Sequence, residues 1–142
     1  MKALTFAQEF ALIALNAQDS LHMTTVKKIA VRCMAAAAIL EWAMAEDGLQ
    51  SEFSTISEKD VENAAAFPHR QEVFRALLKK KGAVQMPLPE LLAQVTHFSR
   101  RTLKKIEHAF SDPLKGMDLL EEIPNLLGCD MDYDSASVTM RE

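Results

Sequence analysis

Residues 26–45 read VKKIAVRCMAAAAILEWAMA, and the fold turns on them. No Gly or Pro interrupts the run. Ala, Leu, Met, Lys and Glu dominate it, side chains that lose little rotamer freedom on coiling. The stretch therefore reads as one helix of about twenty residues, roughly 30 Å long. Thr24 or Thr25 is expected to cap its start by accepting a backbone amide. Gly48 is expected to stop it, because glycine tolerates the left-handed conformation. Charge is confined to Lys27, Lys28 and Arg32 early and Glu41 late. A helix apolar on every side is buried on every side, so Ile29 through Met44 is expected to be closed to solvent. Two or three other helices should lean on it, approaching closely where Ala35 to Ala38 carry only methyls. Trp42 reads as core. Glu41, the one acid deep in the run, is expected to pair with an arginine or sit at a rim. The uninterrupted apolar stretch is too short for a membrane span.

Working outward, Leu4 to Ala17 reads as a first helix with a capping box at Thr5 and Gln8. Its inward stripe is assigned to Phe6, Phe10, Ile13 and the neighbouring leucines. After the central helix, Leu49 to Ile56 alternates well enough for a short strand, with Ser137 to Arg141 as its expected partner. Val61 to Ala66 reads as a short helix begun by Ser57 or Asp60. His69 to Lys80 reads as a helix started by Pro68 and ended by Gly82, with Val73, Phe74, Leu77 and Leu78 inward. Leu88 to Phe110 reads as one long helix stopped by Asp112-Pro113. Leu114 to Leu127 reads as a further short helical stretch. The fold class is mainly α: a helical domain around a central apolar helix, with a small two-stranded β element. The 142 residues read as a single domain, whole or a fragment of a longer chain.

Two cysteines, Cys33 and Cys129, make no disulfide framework, and a buried Cys33 thiol points to a reducing compartment. The start MKALTFAQEF holds an acid and a helical period and does not read as a signal peptide. A cytoplasmic protein is expected. The net charge of −4 conceals an asymmetry. Residues 68–110 hold nine Lys/Arg against three Asp/Glu, while 111–142 hold two against eight.

The asymmetry contains the candidate site. Arg100, Arg101, Lys104 and Lys105, with His108, fall on one side of their helix, opposite its apolar stripe. Clustered cations of this kind bind phosphates of lipid or nucleic acid, although a charged outer face also serves solubility alone. Asp130-Met-Asp-Tyr-Asp134 has calcium-loop acids, but Ser135 stands where the loop needs glycine and Arg141 where it needs glutamate. It reads as an acidic turn. His22, His69, His97 and His108 lack metal-ligand spacing. A Cys–His nucleophile would require Cys33 outside its apolar helix. No phosphate loop, nucleophile elbow or zinc motif is present. The residues assign no enzymatic activity, no cofactor and no metal.

Three segments resemble the Golgi phosphoprotein 3 family. Leu4-Thr5-Phe6 followed by Glu9 to Leu15 is similar to its opening helix. Arg32-Cys33-Met34 to Ile39-Leu40-Glu41, and on to Gly48-Leu49, resembles its small-residue-rich second helix. Pro87-Leu88-Pro89-Glu90-Leu91-Leu92 is similar to the start of its later long helix. Together they cover about a third of the chain. The resemblance implies a mainly helical, non-enzymatic binding or adaptor module. Eukaryotic members bind a phosphorylated inositol lipid as peripheral proteins of Golgi membranes and hold glycosyltransferases there. The family's lipid site uses a Trp before the second helix and an Arg within it. Here the segment from His22 to Lys28 has no Trp, the Arg position falls among Ala35 and Ala36, and Arg32 lies a turn early. The resemblance therefore carries the fold and not the lipid site in its usual form. The expected partner is an anionic lipid surface or another phosphate-bearing partner, met through Arg100, Arg101, Lys104 and Lys105. The alternatives are a winged-helix-like nucleic-acid-binding protein and a ligand-free subunit of a helical homo-oligomer.

Overall fold

A computed structural model describes residues 3–19, 21–45, 52–124 and 136–140. Among them are the helices α1 (Phe6–Leu15), α2 (Thr25–Ala45), α3 (Glu58–Asn63), α4 (Pro68–Leu78), α5 (Leu88–Ala93) and α6 (Arg100–Gly116). The chain is mainly helical, and α2 is its longest helix. Thr24 caps α2, its hydroxyl accepting the Lys27 amide at 3.1 Å. At α1 the capping box closes both ways: Thr5 accepts the Gln8 amide at 3.2 Å, and the Gln8 side chain accepts the Thr5 amide at 3.0 Å.

Helix α1 folds back along α2, so the Ala7 amide at its start meets Glu41 near the end of α2. Several alanines are buried along these two helices. Ala7, Ala11 and Leu15 of α1 are buried, as are Met34, Ala35, Ala37 and Ala38 of α2. Helix α4 inserts Val73, Phe74, Leu77 and Leu78, all buried as their spacing predicts. The Phe74 ring meets Trp42 edge to face at 5.4 Å, a geometry that aligns positive ring edge with negative ring face. Helix α6 adds Leu103, Ile106, Phe110 and Leu114, all with no exposed surface.

Among the described residues, five short strands form two antiparallel sheets. β2 (Ser54–Ser57) pairs with β3 (Ala83–Met86), Ser54 opposite Met86. β5 (Ala136–Met140) lies between β1 (Gln18–Asp19) and β4 (Leu120–Pro124), with Gln18 opposite Val138 and Leu120 opposite Met140. The expected pairing of the Leu49–Ile56 strand with Ser137–Arg141 is therefore wrong. The 54–57 strand pairs instead with β3 across the intervening α3 and α4, and it buries Ile56.

Five further expectations are corrected. The helix expected over Leu88–Phe110 is broken. Residues Gln94–His97 tighten into a 3₁₀ turn, Phe98 is extended, and Ser99 starts a new helix by accepting the Thr102 amide at 3.2 Å. Pro113 does not stop α6. It forfeits one backbone bond, while the Met117 amide still reaches the Pro113 carbonyl at 3.0 Å and buried Phe110 and Leu114 hold the turn. Of the helix expected over 114–127, residues 114–116 end α6 and 120–124 form β4, while 125–127 lie outside the described residues. Finally, α2 is not closed on all sides. Its Val26, Ile29, Cys33 and Met44 are exposed, Ile29 by 58%. Phe6 and Ile13 of α1, expected inward, also face out. The turn at Gly48, the 130–134 acidic loop and Cys129 lie outside the described residues. No described helix is long and apolar enough to cross a membrane.

Candidate functional site

Two charged clusters tie α2 to the helices around it. In the first, the Glu41 carboxylate accepts from the Ala7 amide at 3.0 Å, His69 Nε2 at 3.0 Å and Arg70 Nη2 at 3.1 Å. His69 is wholly buried, its ring 4.8 Å from Phe110, and Arg70 stacks over Phe67 at 4.5 Å. Burial raises the pKa of Glu41, but hydrogen bonds from His69, Thr5, the Ala7 amide and Arg70 outweigh it and bring it down to about 2. A base poised for proton transfer works near the ambient pH. A carboxylate held this low is an acceptor that ties α1, α2 and α4 together. The expectation that Glu41 pairs with an arginine holds, and the arginine is Arg70.

In the second cluster, Lys27 is 1% exposed and reaches Glu107 of α6 at 2.5 Å. Its ammonium also donates to the Asp19 carbonyl, which fastens the α1–α2 connector. Nothing in the sequence marks Lys27 as buried; it stands beside half-buried Lys28 in an ordinary basic first turn.

A cleft of about 300 Å³ opens beside the first cluster, lined among others by Thr5, Gln8, Phe67 and Pro113. Thr5 and Gln8 are its hydrogen-bonding side chains, and both are committed to the α1 capping box. Among the described residues the cleft therefore presents no uncommitted hydrogen-bonding side chain. Among the described residues no cluster of His, Cys, Asp or Glu has the makings of a metal site.

The expected site residues lie together on the outer face of α6. Arg100, Arg101, Lys104 and Lys105 are all exposed, and none forms an ion pair or side-chain hydrogen bond among the described residues. His108 extends the face and lies 3.7 Å from Asp112. The break at Phe98 puts Arg100 and Arg101 in the first turn of α6, which contains no acid. That end of a helix carries positive partial charge and amides without intrahelical acceptors. Two arginines there repel it, and an anion relieves the repulsion.

A fifth cation joins them from α2. Arg32 donates from Nη2 to the Phe98 carbonyl at 3.2 Å, two residues before Arg100. Its Nε is buried without a partner. Sequence spacing gave no hint of this, because 66 residues separate Arg32 from Phe98. Of the remaining three histidines, His69 is internal, His22 bonds Asp19 at 3.2 Å, and His97 is exposed. No protein-family model matches the chain, and no curated protein or solved structure compared with it does so either.

Proposed function

We propose that the chain is a non-enzymatic binding module that meets a phosphate-bearing anionic surface with the start of α6. Arg100, Arg101, Lys104 and Lys105 supply the charge, and Arg32 braces the turn from α2. The observation that carries this reading is the Arg32–Phe98 bond. It brings a cation from a distant helix to a helix start that already holds two unpaired arginines and no acid. The resemblance to the Golgi phosphoprotein 3 family agrees in kind, a peripheral adaptor at an anionic lipid surface.

A DNA-reading role for α2 has less support. A recognition helix exposes polar and basic residues to the groove, whereas the open side of α2 is apolar.

Cosedimentation with vesicles tests the proposal. Wild-type protein should bind vesicles containing phosphatidylserine or a phosphorylated inositol lipid, and not pure phosphatidylcholine. Each cation near such a surface contributes about 1 kcal/mol, so replacing Arg100, Arg101, Lys104 and Lys105 by Gln should weaken binding by about two to three orders of magnitude. Raising the salt should weaken wild-type binding in the same direction. No affinity for anionic vesicles at low salt would refute the membrane reading. Salt-dependent retention of duplex DNA instead would transfer the surface to nucleic acid.

A further inference from the structure

The apolar side of α2 that faces outward is ordered. Val26, Ile29, Cys33, Ala36, Leu40 and Met44 succeed one another at intervals of three, four, three, four and four residues. Their positions span only about 80° of the helix, and no charged residue interrupts them. Intervals of three and four are those of a seam that packs against another helix. Val26, Ile29, Cys33 and Met44 are exposed, and Ala36 and Leu40 half-buried.

Helix α1 widens the face. It runs antiparallel to α2 and turns Ala7, Ala11 and Leu15 inward. Helical geometry then aims Phe6, Phe10 and Ile13 to the same side as the α2 seam. Ile13 is 73% exposed, and it forms with Phe10 and Ala14 a hollow of about 230 Å³. Charge stays at the edges, with Glu9 on α1 and Lys28 and Arg32 on α2.

The geometry points to a second copy of this chain as the occupant, its α1–α2 face laid on this one to make a four-helix interface. Three features favour it. The seam is bulky at its ends and small at its middle, where Cys33 and Ala36 sit, so two copies crossing antiparallel approach closely at the centre. The face is longest along the α2 axis, as a helix partner requires. About 30 Å of α2 and 15 Å of α1, each about 10 Å wide, give on the order of 500 Å² per copy. That falls just under the roughly 600 Å² per partner at the lower end of standard interfaces. An interface of that size is small for a stable dimer, so the micromolar range is where dissociation is sought.

Sedimentation from about 1 to about 200 µM brackets that range. Wild-type protein should pass from 15.8 kDa to twice that mass as concentration rises. Ile29→Glu and Ile13→Glu, at positions open in the monomer, should each hold it at the monomer mass with an unchanged melting curve. In a Cys129→Ser background, maleimide labelling of Cys33 should slow several-fold at high concentration, and Ile29→Glu should remove that slowing. The variant with four Gln on α6 should dimerise normally, which separates this surface from the anion-binding one. A monomer at every concentration would overturn the inference. So would a dimer that survives both substitutions. A protein that stays monomeric and loses vesicle binding on Ile29→Glu would give the face to a bilayer instead.

Discussion

Glu41→Ala is expected to lower the free energy of unfolding by about 3–5 kcal/mol, the usual cost of removing one partner from a buried ion pair. The substitution leaves the Ala7 amide without its side-chain acceptor, and buried His69 Nε2 and largely buried Arg70 Nη2 lose their carboxylate. Glu41→Gln keeps an oxygen for the amide but no charge, and should fall between. The pH dependence follows from the same bonds. The folded pKa of about 2 lies below the ordinary 4.5, so the contribution is complete above pH 4.5 and is lost as pH falls toward 2. The shift corresponds to roughly 3 kcal/mol. Urea unfolding at pH 7, 4.5 and 3 checks this. The gap between wild type and Glu41→Gln should narrow on acidification. A gap independent of pH would mean that the carboxylate is not held by these donors.

The second large effect lies at the other end of α2. Lys27→Met leaves the Glu107 carboxylate buried and unpaired, and should cost about 3–5 kcal/mol. The double variant Lys27→Met, Glu107→Leu removes both charges and fills the space with apolar atoms. It should return to within about 1–2 kcal/mol of wild type, the residue being the donor lost by the Asp19 carbonyl. Unfolding of the four proteins in the cycle gives the coupling directly. Additive losses would mean that the two side chains do not share a closed site.

The backbone of this architecture was legible wherever local chemistry decides. Thr5 with Gln8 announces the start of α1. Thr24 announces that of α2, and Pro68 that of α4. Val73, Phe74, Leu77 and Leu78 reveal the inner face of α4 by spacing alone. Legibility failed where a local signal had two readings. On α1 and α2 nearly every position is apolar, so periodicity does not say which side faces the core. Close helix approach then favoured Ala7 and Ala11 in the seam and turned Phe6 and Ile13 outward. Strands of two to five residues carry too little pattern to choose a partner, and 54–57 paired with 83–86 across two helices. The apolar run from Leu88 to Phe110 hid the break before Ser99. Of the candidate site, the four cations of α6 were visible as a charged helix face. Arg32 was not, because only the fold brings α2 to the Phe98 carbonyl. Lys27 and Glu107 were invisible for the same reason: nothing in a sequence marks which lysine will be buried against which acid.

Both surfaces, the cationic start of α6 and the apolar seam, depend on α2 being a rigid spine fixed at each end by a buried ion pair. Native-state hydrogen exchange along α2 tests that most directly. Amides from Val31 to Ala43 should exchange only through global unfolding, with protection equal to the full unfolding free energy, although one side of the same helix is open to solvent. Exchange there by local opening, well below the global value, would contradict the account.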